Sequence, residues 1–258
     1  MSAAANAISS LAEAHQQNAA LHKVLADESI DFVDFGCSVG GSMLEMQKLF
    51  PGSLGLGVDI DDAKIEAAKA AGHFALVADA RYLRLFKDHV RFSVLSHFLE
   101  HLPSVTDANL SLLSAAEIST DFIYVRQPNF DADGYLFNLG YKTYWSDWHG
   151  HPNRMSSLEL FRSFDYLQKR GSIQAFEIFA TGRIRDSQHS SIHPLASPQN
   201  QNAYDETVHP EKPLRRLPFF QPVYSEIHGI AQKHSECEFT EKFAARYPDA
   251  VRLYSTKS

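Results

Sequence analysis

The stretch that decides the fold is Asp31-Phe32-Val33-Asp34-Phe35-Gly36-Cys37-Ser38-Val39-Gly40-Gly41-Ser42. A run of aromatic and β-branched residues leads into a turn that is punctuated by glycines, and an amphipathic pattern follows over 43–50. This order predicts a strand, a tight turn and a helix. Glycines in such a turn let the backbone approach a ligand, and the next helix begins with unpaired N–H groups. The segment therefore predicts a site for a nucleotide-like cofactor.

The same alternation continues through the first half of the chain. Strand-like runs lie at 30–35, 54–59, 73–78, 92–96 and 121–126, and helical patterns lie between them at 42–50, 61–71, 82–86 and 104–118. A helix at 156–170, strands at 172–185 and 223–233, and a final helix and strand follow. Repeated β–α units of this kind predict an α/β fold with a doubly wound, mostly parallel, seven-stranded sheet and helices on both faces.

The predicted domain organisation has three parts. A helical extension occupies 1–29, the main domain occupies 30–235, and a helix and strand tail occupies 236–258. Two polar excursions, at 127–154 and 186–218, interrupt the main domain. Long loops in compact domains are usually functional or disordered. Because both excursions follow the ends of predicted strands, we expect at least one of them to lie over the site.

Charge and cysteine content exclude several function classes. The chain has 24 Lys and Arg against 31 Asp and Glu, and this acidic balance argues against binding to nucleic acid or to an anionic membrane surface. No apolar stretch approaches the ~18–20 residues that a membrane span needs. Cys37 and Cys237 lack metal or redox spacing and fit a reducing compartment, so we expect a cytoplasmic protein. The oligomeric state stays open.

The glycine turn does not match a dinucleotide site well. The pattern G-x-G-x-x-G would place its glycines at Gly36, Ser38 and Gly41, so that serine replaces the middle glycine. That glycine normally allows the pyrophosphate to approach the backbone. The substitution disfavours NAD or FAD as the cofactor and an NAD-dependent oxidoreductase as the function.

By contrast, Asp34-x-Gly36-Cys37-x-x-Gly40 resembles the first motif of the class I S-adenosylmethionine-dependent methyltransferases. In that family an acid after the second strand holds the cofactor ribose, and Asp59, followed by Ile60, matches it. Another acid, after the third strand, bonds the adenine amine, and Asp79 matches it. The resemblance implies S-adenosylmethionine as the cofactor and a binding set of Asp34, Gly36, Cys37, Gly40, Asp59, Ile60, Asp79, Ala80 and Ser96.

The catalytic candidates lie in the segment that resembles the fourth motif, 94–103, which follows the fourth predicted strand. In the family this segment lies beside the methionine end of the cofactor. Methyl transfer to a hydroxyl needs a nucleophile about 3 Å from the methyl carbon and a base that takes its proton. His97, Glu100 and His101 are the candidates, and histidine suits base catalysis at neutral pH.

His97-x-x-Glu100-His101 also resembles the Glu-x-x-Glu-His segment of ubiquinone-biosynthesis O-methyltransferases and of small-RNA 2′-O-methyltransferases. Those families complete a divalent-metal site with a later histidine, and His149 or His151 could supply it here. Histidine stands in place of the first glutamate, so a nitrogen-rich set would favour zinc or another transition metal over magnesium. In metal-free relatives the Glu-His pair packs or bonds to the backbone, and we favour this alternative.

The acceptor is expected to bind against the first excursion. Aromatic, amide and imidazole side chains are interleaved there, which suits a polar ring such as a sugar or a phenol. A local apolar core that extends from Tyr135 to Trp148 is the alternative. The candidate acceptor residues are Gln127, Asn129, Trp145, His149 and His151.

These features predict an S-adenosylmethionine-dependent methyltransferase that acts on a small molecule or a glycan. O-methylation is favoured by the local histidines and glutamate. One alternative is an inactive relative that binds the cofactor or serves as a scaffold. Another is an RNA 2′-O-methyltransferase, against which the acidic balance counts.

Overall fold

The structure is a computed structural model that describes residues 19–26 and 28–257. Residues 19–26 are helical (α1). The rest of the helix predicted for the extension at 1–29 lies mostly outside the described residues. In the described part of the chain, no helix combines the length and the apolar character needed to cross a bilayer.

Ten strands and six further helices follow α1 in the described residues. The strands are β1 (Phe32–Phe35), β2 (Gly55–Asp59), β3 (Ala75–Val77), β4 (Val90–Ser96), β5 (Ser119–Pro128), β6 (Tyr141–Thr143), β7 (Ala175–Asp186), β8 (Ile192–Pro194), β9 (Pro218–Gln232) and β10 (Val251–Ser255). The helices are α2 (Gly41–Leu49), α3 (Asp62–Ala70), α4 (Val105–Ile118), α5 (Asp133–Asn138), α6 (Ser157–Lys169) and α7 (Glu238–Arg246). Short 3₁₀ helices cover Ala80–Leu85, Leu99–His101 and Trp145–Asp147.

Eight strands form the main sheet, in the order β10-β7-β9-β5-β4-β1-β2-β3. β1 pairs in parallel with β2 and β4, and β2 pairs in parallel with β3. β7 pairs antiparallel with β9 and with β10. The predicted α/β fold with a mostly parallel sheet is confirmed. The predicted count of seven strands was one too few, because the C-terminal segment adds β10 to the edge of β7.

Contacts divide the chain into two compact units. The first contains the described residues up to Ser96 together with Leu110–Tyr124, and the second contains His97–Asn109 and the described residues from Val125 onward. In the first unit all four residues of β1 are buried, as expected for a parallel strand that is covered on both faces. The ring of Phe92 stacks on Phe32 at 4.9 Å and on Phe122 at 4.6 Å between centroids. This stack packs β1, β4 and β5 together in the core of the first unit.

In the second unit the two excursions pack around a common apolar core, to which β7 and β9 also contribute. β6 and β8, one from each excursion, pair antiparallel in a separate two-stranded sheet. Around it pack the buried residues Phe130, Ala132, Leu136, Tyr141, Trp145, Ile184, Ile192, Phe219 and Val223. The alternative prediction of a local core from Tyr135 to Trp148 is confirmed only in part, because the core also includes residues of β7, β8 and β9. The excursions are therefore packed substructures and not structureless loops.

Candidate functional site

The turn between β1 and α2 has a left-handed backbone at three positions. φ is 66° at Gly36, 48° at Ser38 and 93° at Gly40. A Cβ on Gly40 would lie 2.1 Å from Cδ2 of His73, so both the conformation and the space require glycine there. Ser38 adopts a conformation that is strained for a residue with a side chain. Its backbone N–H donates to Oδ2 of Asp59 at 3.1 Å, which holds the turn against the end of β2.

The carboxylates predicted to bind the cofactor occupy the ends of β1, β2 and β3. Asp34 is fully buried and accepts a hydrogen bond from the Ser42 hydroxyl at 2.5 Å, which ties β1 to α2. Asp59 accepts one backbone N–H on each oxygen, from Ser38 and from Asp61. Each Asp59 oxygen keeps a second lone pair for a ligand hydroxyl.

The residues next to Asp59 and Asp79 differ in their exposure and in their hydrogen bonds. Ile60 is 76% exposed beside Asp59, which is unusual for an apolar side chain next to a strand end. Asp79 accepts the backbone N–H of Arg81 at 3.0 Å and pairs with its guanidinium at 2.6 Å. Ala80 is buried, and Ser96 ends β4. The exposed isoleucine could cover an apolar ligand face.

Cys37 packs inside the turn. Burial, reinforced by the charges of Asp34 and Asp59, raises the pKa of its thiol to about 12. The side chain is therefore a neutral thiol at physiological pH. A Cβ on Gly57 would lie 2.6 Å from its sulfur, so the thiol packs directly against the backbone of β2. Cys37 thus shapes the turn and does not act as a nucleophile.

His97 directly follows β4 and binds two carboxylates. Its Nδ1 lies 3.2 Å from Oε1 of Glu100, and its Nε2 lies 3.1 Å from Oε1 of Glu226. Burial would lower the pKa of His97, but these two bonds outweigh burial and raise it to about 9. Both ring nitrogens therefore carry protons at neutral pH. In this arrangement His97 has no lone pair for a proton, so it does not suit the role of a base.

Glu226 is the site residue that sequence reasoning missed. Burial would raise its pKa, but the bond from His97 and the charge of Arg126 hold the pKa below its usual value. Its carboxylate is therefore ionised. The residue lies in a run that was predicted only as a strand, and no motif marks it. The only sequence signal for Glu226 is that it is a single acidic residue within a strand that is otherwise apolar or neutral.

Glu100, His101 and His151 come together, with one ligand atom from each within 4.8 Å of the others. Nδ1–H of His101 donates to the Gly150 carbonyl at 2.7 Å, and Nδ1–H of His151 donates to the Trp145 carbonyl at 2.9 Å. A carbonyl can only accept, so these bonds use the Nδ1 proton of each ring and leave Nε2 as the nitrogen that is available to a ligand. Burial lowers the pKa of His151, so its ring is neutral.

Glu100 completes this group from the buried side. It is 1% exposed, and Oε1 is held by His97. Oε2 is also buried and receives no hydrogen bond from any of the described residues. A buried carboxylate oxygen without a donor is costly unless a cation or a proton donor compensates it. Glu100 therefore fits a ligand that brings positive charge or a proton.

The cavity next to this group measures about 330 Å³. Tyr144, Trp145 and Trp148 form its aromatic part, and Glu100, His101, His151 and Glu226 are among its polar lining. Ser191 and Asn202 reach it from the second excursion. Both excursions therefore contribute to the lining, and the volume suits a small molecule.

The predicted acceptor residues divide into two sets. Trp145 and His151 line the cavity. Gln127 is fully buried and donates to the Met155 carbonyl, and Asn129 accepts from the backbone of Asp131, so both amides have structural bonds. His149 lines a neighbouring cavity. Gln127, Asn129 and His149 are not among the residues that line the 330 Å³ cavity, and their role in acceptor binding stays a prediction.

Neither a protein-family model nor a curated protein sequence matches the chain. Solved structures do match it. A SAM dependent methyltransferase from Archaeoglobus fulgidus is 19% identical, with a TM-score of 0.53, and the match covers 83% of this chain and 92% of that one. The YcgJ protein from Bacillus subtilis is 13% identical, with a TM-score of 0.51, and the match covers 85% of this chain and 99% of that one.

At identities this low, the similarity to these structures shows a common fold only. The chain has the Rossmann-like fold of the class I S-adenosylmethionine-dependent methyltransferases. Its glycine turn and two strand-end acids occupy the carboxyl edge of the parallel strands, where ligands bind in open α/β sheets.

Proposed function

We propose that the protein is an S-adenosylmethionine-dependent methyltransferase. The observation that carries this proposal is the bond from the Ser38 N–H to Asp59, which joins the glycine turn to the acid after β2. The joined turn and acid form one preorganised surface within the first unit. The fold adds support, because this surface stands where the resemblance to the first two motifs requires it.

The first unit carries the groups needed for the cofactor. The two Asp59 oxygens would accept the ribose hydroxyls, since each already has one backbone donor and a lone pair to spare. The exposed side chain of Ile60 would cover one face of the adenine. Asp79 would accept the adenine amine while it remains paired with Arg81.

We assign the acceptor to a hydroxyl on a small ring-shaped molecule. The hydroxyl oxygen would attack the methyl carbon, the carbon–sulfur bond would break with its electron pair going to sulfur, and S-adenosylhomocysteine would leave. When no metal ion is bound, Nε2 of His101 or His151 would take the hydroxyl proton, because both rings have their Nδ1–H bonded to backbone carbonyls. The aromatic part of the cavity would hold the ring of the acceptor.

A divalent metal fits the same group of residues. The buried Glu100 oxygen without a donor, together with two imidazoles in fixed tautomers, makes a carboxylate and two-histidine set. Carbonyl bonds to the outer nitrogens of ligating histidines are usual in metal sites. Such a set favours transition metals over magnesium. Glu100, His101 and His151 would hold the ion, which would bind the acceptor oxygen and lower its pKa.

The cellular location stays part of the proposal. Cys37 and Cys237 are free thiols, which fits a reducing compartment and hence the cytoplasm.

A transfer screen tests this function. The purified chain is incubated with methyl-labelled S-adenosylmethionine and a panel of phenols, sugars, nucleotide sugars and ribonucleosides. We expect label in a stable ether on one class of ring hydroxyl. Label on an amine would contradict O-methylation, and label on RNA would favour the 2′-O alternative. Cofactor binding without transfer to any acceptor would leave a cofactor-binding scaffold.

A further inference from the structure

Three side chains of the second unit form a continuous charged chain, Glu100–His97–Glu226. The His97 ring lies between the two carboxylates, at 3.2 Å from one and 3.1 Å from the other. A carboxylate can only accept, so each ring nitrogen donates and the ring is a cation. Charge-assisted bonds of this kind are about twice as strong as neutral ones. The ring therefore fixes the position of both carboxylates.

The backbone at His97 supports this arrangement. φ is 51°, in the left-handed region that residues with side chains rarely adopt. The His97 N–H donates to the Arg126 carbonyl at 2.7 Å, which anchors the strained residue to β5. Strain of this kind persists only where surrounding contacts over-determine it. The backbone bond to Arg126 and the two ring bonds to carboxylates are the contacts that keep His97 in this conformation.

Glu226 is held from its other side as well. Its register partner across β7 and β9 is Thr181. Nε of Arg126 lies 3.9 Å from Oε1, and Nε2 of His228 lies 3.6 Å from Oε2. Glu226 is therefore a fixed anion on a regular strand, and His97 orients against it.

The bond from His97 determines which oxygen of Glu100 is available to a ligand. Because Oε1 is bound to His97, Oε2 is the oxygen left for the group with His101 and His151. If His97 moved, Glu100 could rotate and the ligand geometry would be lost. In known metal sites, partners of the ligating side chains typically change metal affinity by about 10- to 100-fold when they are mutated.

We propose that Glu226 is a positioning residue that acts through His97 to fix Glu100, and that it thereby sets the affinity of the Glu100–His101–His151 group for a divalent transition metal. This inference rests on the metal site described under the proposed function. It does not depend on the identity of the acceptor. It also explains why a histidine stands at position 97, where the resembling metal-dependent families have a glutamate.

The test is a titration of the metal-stripped full chain with Co²⁺, followed by the visible absorption of the bound ion, which depends on its ligands. Glu226→Gln keeps the shape and removes the charge. We expect it to bind Co²⁺ at least ~10-fold more weakly than the wild type. Glu236→Gln makes the same chemical change on an exposed loop residue and should bind as the wild type does. Glu100→Gln should remove the absorption band.

S-adenosylhomocysteine affinity and thermal stability are measured on the same samples. A merely structural role for Glu226 would lower both, whereas a positioning role leaves cofactor affinity unchanged. If Glu226→Gln does not fold, His97→Gln replaces it with the same expected loss. Unchanged Co²⁺ affinity in the variant, or no Co²⁺ binding by the wild type, overturns the inference. S-adenosylhomocysteine binding in that case leaves the methyltransferase proposal standing, and its absence would contradict that proposal separately.

Discussion

The glycine turn of the first unit and a group of side chains in the second unit are built in different ways. We call the second the histidine group; it comprises Glu100, His101 and His151 with the positioning residue Glu226. The turn uses backbone geometry over five consecutive residues, Gly36 to Gly40, and one distant acid, Asp59. The histidine group uses side chains from three separate segments, with Glu100 and His101 in one and His151 and Glu226 in the others. The proposed cofactor site is therefore mostly local in the chain, whereas the proposed catalytic group depends on packing between distant segments.

The largest expected effect on stability comes from breaking the turn. Gly40→Ala would bring a Cβ to 2.1 Å from the His73 ring at a φ of 93°. We expect a loss of about 2–4 kcal/mol in the free energy of unfolding and at least a ~10-fold loss of S-adenosylhomocysteine affinity. Denaturant unfolding measures the free energy of unfolding, and calorimetry measures the affinity for S-adenosylhomocysteine. At Gly41 an added Cβ meets nothing within 4 Å, so Gly41→Ala should change stability by under ~1 kcal/mol. Equal effects of the two variants would contradict the account.

The second prediction tests whether the histidine group can be changed without an effect on cofactor binding at the turn. The His101→Gln, His151→Gln double variant removes both Nε2 lone pairs that are set by carbonyl bonds. We expect methyl transfer by the metal-free protein to fall by about 10²–10⁴-fold, because general base catalysis contributes that much. S-adenosylhomocysteine affinity should stay within about twofold of the wild type, since loss of the base leaves the cofactor site intact. His149→Gln, in the neighbouring cavity, is the control and should retain full activity. Full activity of the double variant would rule out base catalysis by these rings.

A pH effect of intermediate size is expected at His228. The side chain is fully buried, and burial lowers its pKa to about 4. In the unfolded chain a histidine titrates near ~6.5, so the unfolded state takes up the proton first as the pH falls. Neutral His228 therefore contributes stability that is fully present above pH ~6.5 and is lost as the pH falls toward 4.

Denaturant unfolding of the wild type and of His228→Gln between pH 4.5 and 7.5 measures this contribution. Glutamine stays neutral and can still bond the Thr181 hydroxyl, which lies 2.8 Å from the ring. The stability difference should shrink by up to ~1.4 kcal/mol per pH unit as the pH falls. A difference that is constant across the range would show that His228 does not titrate as described.

The smallest effect is expected at Ser38. Ser38→Gly relieves a left-handed conformation but adds freedom to the unfolded chain, and these contributions oppose each other. We expect a net change under ~1 kcal/mol and an unchanged S-adenosylhomocysteine affinity, because the backbone bond to Asp59 does not need the side chain. NAD should not bind the variant. Gain of NAD binding in calorimetry would mean that Ser38 alone selects the cofactor.

The same comparison explains how much could be predicted from the sequence. The turn and Asp59 could be predicted because a strand, its glycines and the acid at the next strand end follow a fixed order along the chain. Glu226 could not be predicted, since only the position of β9 beside β5, whose Arg126 carbonyl accepts the His97 N–H, brings it to His97. His149 and His151 were equivalent in sequence, and the fold alone places the second of them with Glu100.

Other differences have equally physical causes. The amides of Gln127 and Asn129 resembled ligand groups, but they bind the backbone of Met155 and Asp131 in the second unit. The excursions looked polar because their apolar residues are spread thinly over two distant segments that pack together only in the fold. The extra strand β10 was predicted as an element, but its pairing at the sheet edge requires tertiary information.

The most direct test of the central claim is calorimetric titration of S-adenosylmethionine into the wild type, Asp59→Ala and Asp62→Ala. The account predicts one site with micromolar-range affinity in the wild type. Loss of two charge-assisted hydrogen bonds, worth roughly 1.5–3 kcal/mol each, should make binding to Asp59→Ala undetectable. The exposed Asp62 is the matched control and should retain binding. No S-adenosylmethionine binding by the wild type, or binding of NAD in its place, would contradict the account.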